Sequence, residues 1–224
     1  MLRPEEDEQR VAWFGQLKQL AVFLEGNGRH LGLVIGGGLP AREGITLAKH
    51  SFSTPARLDE VGIAATRLNA TIIQQSLLDI GLDVAPNIPT TTRGAADLME
   101  KHHIVVMGGT TPGHTTDAVA VGFARDADAR TCIIATNVSH VYDKDPRTNE
   151  DAKAFDQLTI DELAEITGID EPLAPGASAV IDPIAVGWAK RAGINLAVLD
   201  GRNLNELDDA LNGKPFEGTL ISCN

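Results

Sequence analysis

Cysteine is scarce in this chain. Only Cys132 and Cys223 occur, far apart in sequence, and Cys132 lies in the apolar run Thr131-Cys132-Ile133-Ile134-Ala135. That setting suits a buried thiol rather than a bridge or a metal ligand. Positive charge is also short, with 19 Lys and Arg against 31 Asp and Glu and a net charge of −12. This balance argues against a nucleic-acid surface, which needs a basic patch to neutralise phosphates. A free nucleotide is still compatible where a few cations and backbone N–H groups converge. No apolar run is long enough to span a bilayer. The N-terminus carries Glu5, Glu6, Asp7 and Glu8, not the basic and then apolar stretch of a secretory leader. A cytoplasmic protein is the expectation. There is no internal repeat, low-complexity tract or linker that would force a second domain.

What is present suits one sizeable core: 224 residues, 43% of them hydrophobic, an ordinary length for a single α/β domain. Strand-like and helix-like runs alternate, the pattern of a largely parallel sheet covered on both faces. Residues from Pro4 to about Glu25 read as an amphipathic helix, with Val11, Phe14, Leu17, Leu20, Ala21 and Leu24 at helical spacing. Gly26-Asn27-Gly28 ends it. Leu31–Ile35 reads as a strand entering Gly36-Gly37-Gly38, and a long helix follows over about 58–79. Ile104–Met107 is a strand running into Gly108-Gly109-Thr110, and Thr131–Ala135 another that ends at Thr136-Asn137. The last two strands are Asn195–Leu199 and Thr219–Ser222, with helices predicted at about 183–192 and 203–212. Several of these strands end in Gly, Thr or Asn. Ligands of open α/β sheets bind beyond the carboxyl ends of the strands.

Four segments carry chemistry. Gly36-Gly37-Gly38 lets a backbone approach a phosphate closely, and the helix behind it aims N–H groups at the anion. Arg42, one turn on, could add a charged fork; a strand-to-helix turn with a surface Arg reads equally well. Gly108 to Asp117 packs Thr110, Thr111, Pro112, Gly113, His114, Thr115, Thr116 and Asp117 into ten positions before a helix of about 117–126. Capping by Thr115 or Thr116 and a helix-stabilising Asp117 explain only part of that density. The third segment runs from Thr136 and Asn137 to Tyr142, Asp143, Lys144, Asp145 and Pro146. Tyr142, the only tyrosine, could stack on a base, while Asp145-Pro146 alone is a turn signal. The fourth is Asp59, Glu60, Val61, Gly62 and Ile63, followed by Thr66, Arg67, Asn69 and Ala70. Gly62 within a helix costs about 1 kcal/mol relative to Ala, so a ligand or another backbone is expected close to it. Arg67 and Asn69 read equally as a solvated face or a subunit contact.

In this order and at these separations, the four segments resemble the archaeal branch of the uridylate kinases in the amino-acid-kinase family. The similarity extends over essentially the whole chain. It includes Ser178 to Pro183, Arg191 to Ile194, Val198 to Gly201, and Gly218-Thr219. The Gly108–Asp117 segment is its most specific part. The resemblance implies a three-layer αβα sandwich with a mostly parallel central sheet, one domain over residues 1–224. About 1–125 would form the UMP-binding half and about 126–224 the ATP-binding half. It implies that Gly37, Arg42, Asp59 and Gly62 line the acceptor side and that Thr111, Pro112, Gly113, His114, Thr115, Thr116 and Asp117 hold the UMP phosphate. Asp117 and Arg42 would organise the reacting centre. Gly38, Arg42, Thr136, Asn137, Tyr142 and Asp145 would serve ATP. Mg²⁺ is expected on the phosphates rather than in a protein cage, and a homohexamer is expected as the assembly.

The chain departs from that family at its front, where a first strand entering Gly-Gly-Ser is absent ahead of Met1-Leu2-Arg3-Pro4. Two explanations are open. A start upstream would supply roughly ten further residues, about one strand with its turn, and this is the preferred reading. Otherwise the chain lacks an inner strand and half its phosphate loop. As it stands it is expected to bind UMP better than it turns over ATP, with strand edges prone to association. Ser139-His140 stands where Asp-Gly is usual, and Pro175 and Gly187 are also unexpected. The competing functional readings are a kinase for another phosphate monoester, a non-catalytic nucleotide- or oxyanion-binding protein on the same fold, and a purely structural protein.

Overall fold

The computed structural model describes residues 7–146, 148–170 and 180–223. The expected helix start at Pro4, and Pro175 and Ser178, lie outside the described residues. The chain forms two compact units, residues 1–127 and 128–224.

The first unit opens with α1 (Asp7–Gly26). Leu17, Leu20, Ala21 and Leu24 form its buried stripe, whereas Val11, predicted on the same stripe, is 69% exposed. Then follow β1 (Leu31–Val34), α2 (Gly38–Ala48), α3 (Pro55–Leu78), α4 (Thr92–Met99), β2 (Ile104–Met107) and α5 (Thr116–Asp126). β1 and β2 pair in parallel, Leu31 opposite Ile104 and Val34 opposite Met107. Every β2 residue is buried, which explains its unbroken apolar run. Gly32 lets α5 lie close on β1, because a Cβ there would sit 2.7 Å from the Phe123 ring. Ala85, Ala95, Ala96, Val105, Met107, Val119 and Phe123 make one core cluster.

The second unit contains β3 (Thr131–Thr136), β4 (Val141–Tyr142), β5 (Ala154–Phe155), β6 (Gln157–Thr159), α6 (Ile160–Thr167), α7 (Pro183–Ala192), β7 (Asn195–Asp200), α8 (Leu204–Leu211) and β8 (Gly218–Ser222). Its main sheet has the order β3-β7-β8-β6. β3–β7 and β6–β8 are parallel and β7–β8 is antiparallel. β4 and β5 form a separate antiparallel pair. α7 carries clear boundary signals: the Asp182 side chain accepts from the Ile184 N–H, Pro183 opens the helix, and Gly193 closes it in the left-handed region. α6 begins with a reciprocal capping box between Thr159 and Glu162. Neither cysteine is bridged. Among the described residues, no helix is long and apolar enough to cross a membrane.

Candidate functional site

The loops singled out in the first unit all rest on α3. This helix buries Ile63, Ala70, Ile73 and Leu77, but the same face also buries Thr66, Asn69 and Gln74. Polar side chains in an apolar stripe need partners, and here the partners are the loops. The Asn69 amide donates to the carbonyls of Gly36 (2.8 Å) and Gly37 (3.0 Å). The Thr66 hydroxyl donates to Ile63 O and accepts from the Gly109 N–H, each at 2.6 Å. Arg67 Nε donates to Gly109 O at 3.2 Å. Asp59, in the first turns of the helix, accepts from the Gly113 N–H at 2.9 Å.

The glycines explain how the loops come so near. A Cβ at Gly108 would lie 2.7 Å from Thr66 Oγ1 and 2.8 Å from Arg67 N, so only glycine fits against that backbone. Gly113 has a φ of +86°, which allows the chain to turn back before α5. There the Thr115 hydroxyl accepts from the Ala118 N–H at 3.4 Å, capping a helix with Asp117 in its first turn. The two loops meet: a Cβ at Gly36 would lie 3.6 Å from Thr116 Oγ1. Gly36, Gly37, Asp59 and residues 111–117 are thus brought together.

Gly62 lies where α3 crosses α2. Its neighbour is the Ile45 side chain on α2, 3.7 Å from where a Cβ would stand, at a helix crossing where Gly44 in turn faces Val61. Arg42 lies on α2 with its side chain exposed, and its carbonyl accepts from the Thr46 hydroxyl at 2.7 Å. Gly38 has a φ of +55°.

In the second unit, Thr136 ends β3 opposite Asp200 of β7, and its carbonyl accepts from the Gly201 N–H at 2.8 Å. Arg202 Nε donates to both Asp200 oxygens (2.8 and 3.0 Å), and its Nη2 reaches the Asn137 carbonyl at 3.4 Å. The hydrogen bonds from Arg202 hold the Asp200 carboxyl below the usual aspartate range. The Ser139-His140 segment is held by side chains. Ser139 Oγ hydrogen-bonds His140 Nδ1 (2.9 Å) and the Tyr142 hydroxyl (3.3 Å). The Val141 N–H donates to Thr219 Oγ1 at 2.9 Å, and that hydroxyl donates on to Phe155 O. The Asp145 carbonyl accepts from the backbone N–H groups of Thr148 and Asn149, closing a turn.

Sequence reasoning left Thr66, Arg67 and Asn69 undecided and attached no role to Asp200 or Arg202. The usable signal lay at Thr66 and Asn69, polar positions in register with Ile63, Ala70 and Ile73. Gly187 also finds its reason. A Cβ there would stand 2.1 Å from Asp170 Oδ1, and that carboxylate makes a bidentate pair with Arg191 (2.6 and 2.9 Å).

A model of the amino acid kinase family matches residues 8–200. The chain belongs to the amino acid kinase family. Within that family it is 39% identical over 198 residues to a uridylate kinase of Methanocaldococcus jannaschii, covering 87% of this chain and 86% of that one. It is 38% identical over 222 residues to a uridylate kinase of Halorubrum lacusprofundi, with 99% and 89% covered. Among solved structures, the uridylate kinase of Archaeoglobus fulgidus superposes with a TM-score of 0.82 at 32% identity, covering 98% of this chain and 94% of that one. A UMP kinase from Bacillus anthracis, at 20% identity and a TM-score of 0.73, shares the amino acid kinase fold.

Proposed function

We propose that this protein transfers the γ-phosphoryl group of ATP to UMP, giving ADP and UDP. The observation that carries the reading is the seating of both glycine loops and the Thr111–Asp117 loop on one helix, by Asn69, Thr66, Arg67 and Asp59. The archaeal relatives that share this chain's length and fold are uridylate kinases. Phosphoryl transfer asks little covalent chemistry of a protein. It asks for acceptor and donor held in line and for donors on the phosphoryl oxygens.

In this reading Gly37, Arg42, Asp59, Gly62 and residues 111–117 take UMP, with Asp117 and Arg42 organising the reacting centre. Residues 111–117 suit a phosphate: they combine hydroxyls with the N-terminal N–H groups of α5. Gly38, Arg42, Thr136, Asn137, Tyr142 and Asp145 take ATP. The division assigns the acceptor to the first unit and the adenine nucleotide largely to the second. Among the described residues, no group of three or more His, Cys, Asp or Glu could hold a metal ion. Mg²⁺ would ride on the nucleotide phosphates, where it would neutralise charge developing in the transfer. No strong base is needed, because the acceptor is already a phosphate oxygen.

The protein acts in the cytoplasm as a homohexamer. Apolar side chains left exposed on α1 and α3, among them Val22, Phe23, Leu68 and Ile72, support self-association. The test is an assay of ADP release with ATP, Mg²⁺ and UMP, with CMP and AMP as control acceptors. It is run on this chain and on a version extended upstream of residue 1. UMP-dependent turnover by either protein sustains the reading. A folded protein that binds nucleotide but phosphorylates no acceptor in either form would be a binding protein instead.

A further inference from the structure

We infer that Asn69 is a positioning residue, which turns the N–H groups of Gly37 and Gly38 toward a phosphoryl oxygen by holding the carbonyls of Gly36 and Gly37. The inference rests on the phosphotransfer reading above and adds a residue to it.

The argument is stereochemical. A trans peptide unit is planar, and its C=O and N–H point in opposite directions. The Gly36 carbonyl shares a plane with the Gly37 N–H, and the Gly37 carbonyl with the Gly38 N–H. Asn69 draws both carbonyls toward α3, at 2.8 and 3.0 Å. Both N–H groups are therefore turned away from α3, on the side opposite the helix. The backbone agrees independently. Gly37 is right-handed, with φ −76° and ψ −29°, and Gly38 follows with φ +55°. Alternation of hand at successive residues turns neighbouring N–H groups to one side as an anion-binding concavity.

Asn69 suits the task because it is fixed. It is 3% exposed, lies in the middle of a 24-residue helix, and its amide carries one proton for each carbonyl. Gly36, Gly37 and Gly38 have no side chains with which to hold their own conformation. The Ala41 N–H of α2 also bonds the Gly37 carbonyl, at 3.2 Å, and Asn69 is the side chain that holds that carbonyl together with the one of Gly36. Arg67 acts in the same sense on the second loop. Its bond to Gly109 O turns the Thr110 N–H away from α3.

The test compares the parent protein with Asn69→Leu, which keeps the size and loses both donors, and Asn69→Asp, which keeps the shape and sets oxygens against the two carbonyls. Three quantities are measured: kcat with UMP, the UMP dissociation constant by calorimetry, and the dissociation constant for inorganic phosphate. Removing a donor that orients charge in the transition state is expected to lower kcat about 30-fold or more. UMP affinity should fall much less than kcat, because of the residues assigned to UMP only Gly37 is turned while Asp59 and residues 111–117 are untouched, and phosphate affinity should fall about tenfold. An unchanged kcat in a variant that melts cooperatively overturns the inference. So does a fall in kcat matched by an equal fall in UMP affinity, the mark of general disruption. If the parent phosphorylates no acceptor, the kinase reading fails separately, and phosphate binding decides this one. A tenfold loss in both variants then supports it. Equal affinity, or no phosphate binding by the parent, overturns it.

Discussion

Asp59 and Gly113 stand 54 positions apart in the chain, yet the carboxylate accepts the Gly113 N–H at 2.9 Å. The bond ties an early turn of α3 to the turn of the loop that precedes α5. Gly113 can occupy that turn because its φ of +86° carries no Cβ penalty. One side chain thus both shapes the loop and stands beside the residues assigned to the UMP phosphate.

Replacing Asp59 separates the two roles. Asp59→Asn retains an oxygen that accepts from Gly113, whereas Asp59→Ala leaves the N–H without its partner. The alanine variant is expected to bind UMP about tenfold more weakly, near 1.4 kcal/mol, the scale of one hydrogen bond to a charged group. Calorimetric titration with UMP measures this. An alanine variant with parental affinity would remove Asp59 from the acceptor site.

Gly108 and Gly113 should respond to alanine for different reasons. At Gly108 the new methyl would meet Thr66 Oγ1 at 2.7 Å and the Arg67 nitrogen at 2.8 Å. That backbone cannot yield, so Gly108→Ala is expected to cost about 1–3 kcal/mol as overpacking. At Gly113 there is open space within 4 Å, and the cost is the left-handed φ alone, about 1–2 kcal/mol. Urea unfolding of both variants checks the magnitudes. A combined Gly108→Ala, Thr66→Ala protein should regain only part of the loss, since the Arg67 nitrogen and the Thr66 carbonyl carbon remain in place.

A double-mutant cycle at Gly187 has a predicted change of sign. Alanine there would displace the Asp170 carboxylate from Arg191, offsetting the ordinary gain of alanine over glycine in a helix. In an Asp170→Gly background, which suits the φ of +58° at that position, the obstruction is gone. Gly187→Ala should then stabilise by about 0.5–1 kcal/mol. Equal effects of Gly187→Ala in both backgrounds would refute the contact.

The Asp200 carboxyl is held below its usual range, chiefly by its hydrogen bonds from Arg202. A carboxyl depressed in the folded state stabilises the protein above its unfolded pKa, and the benefit is lost as pH falls through the folded value. Asp200→Asn should therefore be less stable than the parent at pH 7, by less than about 1 kcal/mol for a partly exposed pair. The difference should begin to shrink only near pH 4, where unfolded aspartate titrates, and vanish as pH falls through the lower folded value. Melting curves from about pH 2 to pH 7 follow it, and a difference that does not shrink at all between about pH 4 and pH 2 would assign it to packing.

Elements with strong periodicity or plain boundary residues were legible in the chain. β2 was readable as an unbroken apolar run, α7 from Asp182-Pro183 at one end and Gly193 at the other, and most of α1 from its spacing. Val11 was misassigned because periodicity continues past the point where the helix meets its neighbours. Neither α4 nor α6 was read from the sequence, although α8 has the same eight residues and was, whereas the two-residue strands β4 and β5 carry too few positions for a period to register. Ser139-His140 was unexpected in the place of Asp-Gly because local turn preferences do not include the Tyr142 hydroxyl, which hydrogen-bonds Ser139 Oγ.

The amino-acid sequence by itself determined the kind of residue at each strand end, the glycine turns, and hence membership in the amino acid kinase family. These are local properties, set by backbone freedom, hydrogen-bonding groups and apolar spacing within a few positions. Only the tertiary structure decided what those residues touch. Asn69 reaches Gly36 and Gly37 across more than thirty positions, Arg67 and Thr66 reach Gly109 across more than forty, and Gly62 faces Ile45. No local period encodes such pairs, because a helix fixes the direction of a side chain but not which loop is packed beneath it.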